Sequence, residues 1–475
     1  MIGSQIVYPA RLRAALSTVS LLLAIIVGCS IGGCAPALAP ASAAPTPSPT
    51  SVASASPALA AAGTLIIVGR IVTMDEPAIV EAMLIMDGIV TATGARDEIL
   101  ELAGGGVPVI DIGPNVAYPG FIDAHAHWIG DRNYYDIDSP AEAMDAAITR
   151  GWTSISEQWV DDEKLHELET LAADAALPLR VDAYLALNGV HPGEHYGDWY
   201  ADLEPGPVGD FLRVQGLKIH LDNGSGSIML WEPGDLTGAI DRANSAGWQV
   251  SVHSVSREAM ELVIDAFELA LGPTGPNPTQ HRIEHALQVT DDQLARMVAL
   301  DLTTVVQLDG VAHDWVTWAA SREGEEGRDY LSENPDWLGR WRDFVHADLH
   351  VAGSSDAPWS FTESGLADDI GRPVDEIAGG MDGRGRSFPE TPEWMLDQLL
   401  TAEEGLRAVT VEAAYALGDE YRRGHLAPGT VGDVTILSGD VLSAIPDEIR
   451  AMDVIATIVG GTVAYCSDTA VCGGN

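Results

Sequence analysis

Five short stretches of this 475-residue chain carry side chains able to hold a metal ion. In Pro119-Gly-Phe-Ile-Asp-Ala-His-Ala-His127, His125 and His127 are two residues apart. On a strand that spacing turns both imidazoles to one face, where two nitrogens can converge on a cation. Val214-Gln-Gly-Leu-Lys-Ile-His-Leu-Asp222 sets Lys218 inside an apolar run, where an unpaired ammonium is costly. Gln249-Val-Ser-Val-His253 and His281-Arg-Ile-Glu-His285 each end an apolar run on a histidine. In an extended strand His281 and His285 share a face, and His285 lies nearer the carboxyl end. His285 is therefore the expected ligand, and His281 a core or supporting residue. Val351-Ala-Gly-Ser-Ser-Asp356 ends on a carboxylate suited to bind a metal or to take the proton of a metal-activated water. Each stretch alone has an ordinary reading: a salt-bridged lysine, a satisfied core histidine, an aspartate capping a turn. The set argues for chemistry.

Those residues need elements to position them. Strand-like runs occur at Gly120–His127, Thr153–Glu157, Leu179–Leu187, Val214–Leu221, Gln249–Val255, Arg282–Val289, Leu302–Leu308 and Leu349–Ser355. Helix-like stretches such as Glu163–Ala176 and Arg257–Leu271 separate them. Strands alternating with helices predict a parallel sheet, and eight such units predict a (β/α)8 barrel over 118–424. The metal-binding side chains fall at strand carboxyl ends, where barrel active sites lie. Asp222, Asn223, Ser225, His313 and Trp315 follow strands four and seven and are expected to face substrate. Trp315, Trp318, Tyr330, Trp337 and Trp341 are expected either to cover the pocket or to pack on the barrel.

The two flanks read differently. Thr64–Met74 and the runs either side of Asp87-Gly88, a strong hairpin signal, make residues 63–117 a small β unit. Residues 425–475 carry similar short strands around Gly460-Gly461. Together they predict a composite β-sandwich domain formed by both ends of the chain. Cys466 and Cys472 are close enough in sequence to form a local disulfide in an oxidising compartment.

Residues 1–62 hold no acid and only two bases, Arg11 and Arg13. A short apolar run, Ala14–Val27, then leads to Ile26-Val-Gly-Cys29. This resembles a lipoprotein signal (1–28) with Cys29 as the lipidated residue. Residues 29–62 are almost wholly Ala, Ser, Pro and Thr and predict an uncollapsed tether. The expected location is the outer side of a bacterial membrane, held by the lipid.

Charge excludes one class of partner. The chain has 70 acidic and 25 basic residues, a net charge of −45, which repels nucleic-acid phosphates. Only two of the bases are lysines, Lys164 and Lys218, so a buried one is not casual. A small-molecule substrate is expected; a homo-oligomer is compatible with the sequence.

PGFIDAHAH, GLKIHLDNGSGS, HRIEHA and GSSDAP, in that order, resemble the amidohydrolase superfamily, in the branch containing N-substituted formamide deformylases. The resemblance covers residues 64–465. It implies one or two divalent ions, Zn²⁺ being expected, held by His125, His127, Lys218, His253, His285 and Asp356, with Lys218 carbamylated. It further implies hydrolysis of a C–N bond by metal-activated water, Asp356 acting as catalytic proton carrier. One departure concerns the step after His253, Gly-Asp in the family and Ser254-Val255 here. The rival reading is a lipid-anchored metal or solute binder on an inactive barrel. A pure binder has no need of a proton-accepting carboxylate at the metal.

Overall fold

The computed structural model describes residues 63–135, 137–223, 226–309, 334–359, 371–384 and 390–473. The signal and tether segments, with Cys29, lie outside them. The amino-terminal part supplies β1 (Leu65–Val72), β2 (Ile79–Met86), β3 (Ile89–Gly94) and β4 (Val109–Pro119). Asp87 and Gly88 both take positive φ, +50° and +78°, the turn that matches strand twist in a two-residue hairpin. One helix, α1 (Arg96–Ala103), interrupts this unit.

Eight parallel strands follow: β5 (Phe121–Ala126), β6 (Trp152–Val160), β7 (Arg180–Ala186), then β9 (Leu212–His220), β10 (Gln249–Ser254), β11 (Arg282–His285), β12 (Thr303–Val306) and β13 (Val351–Gly353). A two-residue strand, β8 (Gly206–Pro207), pairs antiparallel with β9. Nearly every residue in the eight is buried, as parallel strands under helices require. Backbone bonds draw the ends of β5 and β13 together: Asp356 N–H donates to His125 O (3.0 Å) and His127 N–H to Ala357 O (2.6 Å). The expected eight-stranded barrel is what forms.

Helices α2 (Pro140–Thr149), α3 (Asp162–Ala173), α4 (Pro233–Ser245), α5 (Arg257–Leu271) and α6 (Asp291–Ala299) pack outside. Ser139, Asp161, Ser256 and Thr290 cap four of them, each side chain accepting a backbone N–H of the first turn. The helix Val411–Ala416 covers the amino-terminal end of the barrel, its alanines packing on Ile122, Ala124, Tyr184, Val305 and Ala352.

The chain then returns with β14 (Val434–Leu437), β15 (Val454–Val459) and β16 (Thr462–Cys466). These join the first four strands in one seven-stranded sheet, order β16-β15-β14-β4-β1-β2-β3. Both ends of the chain thus build the β domain. It docks on the barrel through Arg180 Nε to Asp433 Oδ2 (2.6 Å) and through the Thr435 and Thr457 hydroxyls, which donate to Gly151 O and Ile148 O. Cys466 and Cys472 form a disulfide. Among the described residues no helix is long and apolar enough to cross a membrane.

Candidate metal centre

His125 and His127 project from the end of β5 to one face, with Ala126 turned away between them. The barrel closure brings Asp356 against both: its Oδ1 lies 3.4 Å from His125 Nε2 and 3.7 Å from His127 Nε2. Donor atoms of these three residues all lie within 4.8 Å of one another. The His285 ring centroid is 4.9 Å from that of His125 and 4.5 Å from that of His253. Lys218, wholly buried on β9, presents a terminal amine with no hydrogen-bond partner among the described residues. The six residues expected as ligands thus line one end of the barrel.

Each of these histidines has a polar group at its back. His125 Nδ1 meets Glu284 Oε2 at 2.6 Å and His285 Nδ1 meets Gln307 Oε1 at 2.9 Å. His127 Nδ1 lies 3.1 Å from Asp131 Oδ2, and His253 Nε2 lies 3.5 Å from Asp222 Oδ1. Backing groups of this kind fix ring orientation and tautomer in metal sites and leave the other nitrogen for the cation. Asp131 is itself pinned by Lys164 Nζ (3.0 Å) and Trp359 Nε1 (3.1 Å).

Electrostatics agree with that use. Burial pushes the imidazoles down: His285 to about 3, and His125 and His253 well below the ordinary value of 6.5. At neutral pH they are uncharged, with lone pairs free for a metal. Burial also pushes the Lys218 amine down, against the pull of Glu284 and Asp356, and pushes the Asp356 carboxyl up, against Lys218. Burial would raise Asp131 too, but His127 and Lys164 hold it well below the carboxylate range. Neutral imidazoles, a partnerless amine and one carboxylate make a nitrogen-and-oxygen donor set that fits a divalent ion.

Three expectations need revision. Asp222 does not face substrate. It is fully buried, and its carboxylate accepts the N–H groups of Val255 and Ser256 and the Ser256 hydroxyl. The reason is the Ser254-Val255-Ser256 sequence after His253, whose backbone turns into α5 there and needs an acceptor. Asn223 spends its amide oxygen on its own loop, accepting from Ser227 and Ile228 N–H. The face-sharing argument for His281 and His285 also fails. Arg282 and Glu284 fill the barrel interior, and His285 joins the pocket beside them because its backbone turns to φ +72°. A regular strand alternates and puts only one of two neighbours inside. His281 lies among Asn244, Thr279 and the backbone of Val250, as a core residue. Ser225, His313, Trp315, Trp318 and Tyr330 lie outside the described residues. Trp341 packs in the barrel core, while Trp337 sits beside the Arg257 guanidinium.

A family model described as the amidohydrolase family matches residues 137–465. The chain belongs to that family. The match begins past His127, so the paired histidines add to it independently. Over 267 residues the chain is 27% identical to the amidohydrolase YtcJ of Bacillus subtilis, across 54% of this chain and 43% of that one. Over 226 residues it is 26% identical to the N-substituted formamide deformylase of Arthrobacter pascens, across 47% and 38%. The aligned part therefore spans less than half the length of either relative. An uncharacterized metal-dependent hydrolase of Pyrococcus horikoshii superposes with a TM-score of 0.65 at 19% identity, over 81% of this chain and 99% of that one. At that identity the likeness speaks for the fold.

Sequence reasoning missed four residues of this amidohydrolase's pocket. Glu284, Gln307 and Asp131 lie behind the candidate ligands His125, His285 and His127. The fourth is His220, buried at the end of β9 with its ring centroid 5.3 Å from that of His253. Its signal was present: Lys218 and His220 stand two apart, as His125 and His127 do.

Proposed function

We propose that this protein hydrolyses a C–N bond of a small amide, taking up water and releasing an amine and a carboxylic acid. The observation that carries this reading is Asp356 held against two backed histidines beside a buried, partnerless lysine. His125, His127, His253, His285, Asp356 and Lys218 would hold the metal, which by ligand chemistry is one or two Zn²⁺. When bound, such an ion supplies Lewis acidity, polarising a carbonyl and making water a nucleophile near neutral pH. Asp356 takes the proton from the attacking water and returns it to the leaving nitrogen, so the proton count balances. Burial lowers the Lys218 amine to about 8, against the pull of Glu284 and Asp356, so that its neutral fraction can add CO₂ and, on losing a proton, become a carbamate, a carboxylate able to bridge two ions. N-substituted formamides head the substrate list because one relative bears that name. Asp356 argues for turnover over simple metal capture.

The test is a screen of formamides, acyl amides and cyclic amides with the purified chain. Expected is turnover of at least one class, abolished by chelation and restored by Zn²⁺. No turnover by metal-replete protein across all three classes would contradict the reading. We further propose that residues 1–62 export the protein and anchor it through lipid on Cys29. Labelled palmitate should enter the wild-type chain in a bacterial host and not Cys29→Ser.

A further inference from the structure

His220 stands apart from the other histidines of the pocket. Those four each have a carboxylate or an amide at the back of the ring. Its own Nδ1 is buried with no hydrogen-bond partner among the described residues; His127 Nδ1 and His253 Nε2 also lack a hydrogen bond, but each has a carboxylate oxygen at 3.1 or 3.5 Å, and His220 has no such ion pair there. Leaving such a buried polar atom unmet costs free energy, so it calls for a partner that the described chain does not supply, and in the tautomer with hydrogen on Nδ1 that partner is an acceptor. The ring is nonetheless held in place. The backbone N–H of His220 donates to Asn188 Oδ1 (3.0 Å) and its backbone carbonyl accepts from Asn188 Nδ2 (2.8 Å), which fixes the main chain that carries the ring. Trp159 meets the imidazole edge-on at 5.6 Å between centroids, its own indole N–H tied to Asn188 O. A fixed ring with an unmet polar atom is a preorganised donor.

Its placement says what it meets. His220 shares a strand face with Lys218 but lies one step nearer the carboxyl end, toward the mouth of the barrel. β9 is the fourth strand of the eight and β13, which leads into Asp356, the eighth. In a closed eight-stranded barrel those two stand opposite. A planar amide lying across the pocket with its nitrogen toward Asp356 would turn its carbonyl oxygen toward the His220 side.

We propose that His220 is a catalytic residue that donates a hydrogen bond to the carbonyl oxygen of a substrate amide as that oxygen gains charge. The assignment rests on the hydrolase reading above and deepens it. The bond changes are those already given: water oxygen joins the carbonyl carbon, the C–N bond breaks, and Asp356 carries the proton. His220 gives up no proton and needs no metal ligand role.

The experiment compares wild type with His220→Ala and His220→Gln as full chains loaded with Zn²⁺, using 4-nitroformanilide as probe. Loss of one such donor should lower kcat by about 10²–10³-fold, with KM changed less than about threefold and metal content unchanged. His220→Gln, which keeps an N–H, should recover at least about tenfold of that loss. A kcat of His220→Ala within threefold of wild type would overturn the proposal. Loss of metal in both variants would also overturn it, by making His220 a ligand. If wild type itself turns over nothing, the hydrolase reading fails separately. The donor is then read from acetohydroxamate binding to the Co²⁺-loaded chains by visible absorbance. Binding weakened at least about tenfold in His220→Ala, with normal Co²⁺ content, supports the donor, and equal binding overturns it.

Discussion

At the amino-terminal end of the barrel Arg423 lies 2.8 Å from Asp182 and 2.5 Å from Asp419, and Arg213 lies 2.7 Å from Asp182. At the carboxyl-terminal end the Lys218 amine, just as buried, has no hydrogen-bond partner among the described residues, and Asp356 faces imidazoles. Both ends remove charge-bearing groups from water, and that costs free energy at either end. The first end offsets the cost within the chain; at the second end Asp131 is paired with Lys164, but the Lys218 amine has no hydrogen-bond partner among the described residues. Glu284 is the joint between them: Oε1 takes Arg282 Nε at 2.6 Å, while Oε2 takes His125. Buried polarity is therefore no guide to a site by itself. Buried polarity left unmatched is, because a fold keeps it only where something else binds.

The largest effect that bears on this contrast is at the matched end. Arg423→Met leaves Asp182 with Arg213 alone and Asp419 without its nearest cation, and should cost a large part of the ~3–5 kcal/mol of a broken buried ion pair, measured by urea unfolding of the metal-free chain. Metal content of the folded fraction should stay at wild type. A loss of metal without a loss of stability would break the contrast.

Lys218→Met tests the other end. Removing a ligand should lower metal affinity by more than the roughly 10–100-fold seen for backing groups. Removing an unpartnered buried amine should raise the melting temperature of the metal-free chain. Opposite signs for function and stability are the expected pattern, and a lower melting temperature would count against it. Asp131→Asn should weaken metal binding by about 10–100-fold in a competition titration, and should lower stability as well because it breaks the ion pair with Lys164.

The mildest test is pH, read as a difference between each variant and wild type in the absence of metal. Asp182 is held at about 2 by Arg213 and Arg423, although burial alone would raise it from 3.8. The stability it contributes is complete above pH 3.8 and is lost as pH falls toward 2. The gap between wild type and Asp182→Asn should thus hold steady from pH 7 to 4 and close below. For His285 burial depresses the value from 6.5 to about 3. Wild type then pays for keeping the ring neutral once pH drops below 6.5, so His285→Gln should gain on it steadily between pH 6.5 and 3. A flat His285→Gln difference across that window would show that the pocket is wetter than described.

The same contrast explains what the sequence revealed. Long apolar runs ending in His125, His127, His253 or Asp356 made the strands and the candidate ligands legible, since periodicity and strand ends are local properties. Lys218 was legible because an ammonium inside an apolar run is rare. Glu284, Gln307 and Asp131 were not, because each acquires its role from a neighbouring strand or turn. Asp222 was misread for a related reason. Its position after β9 suggested the mouth of the barrel, but the turn following His253 required an acceptor and claimed it. His285 reached the pocket through a left-handed residue that strand alternation does not foresee. α1 went unread within the β unit, its eight residues carrying only a weak apolar stripe around buried Ile99.

The central claim is that the unmatched groups of the carboxyl-terminal end await a metal. Metal content per chain, measured by plasma mass spectrometry on protein grown with Zn²⁺ and purified without chelator, tests it most directly. One or two divalent ions per wild-type chain, with a marked loss in Lys218→Met, is the expected result. A wild-type chain without metal would contradict the account.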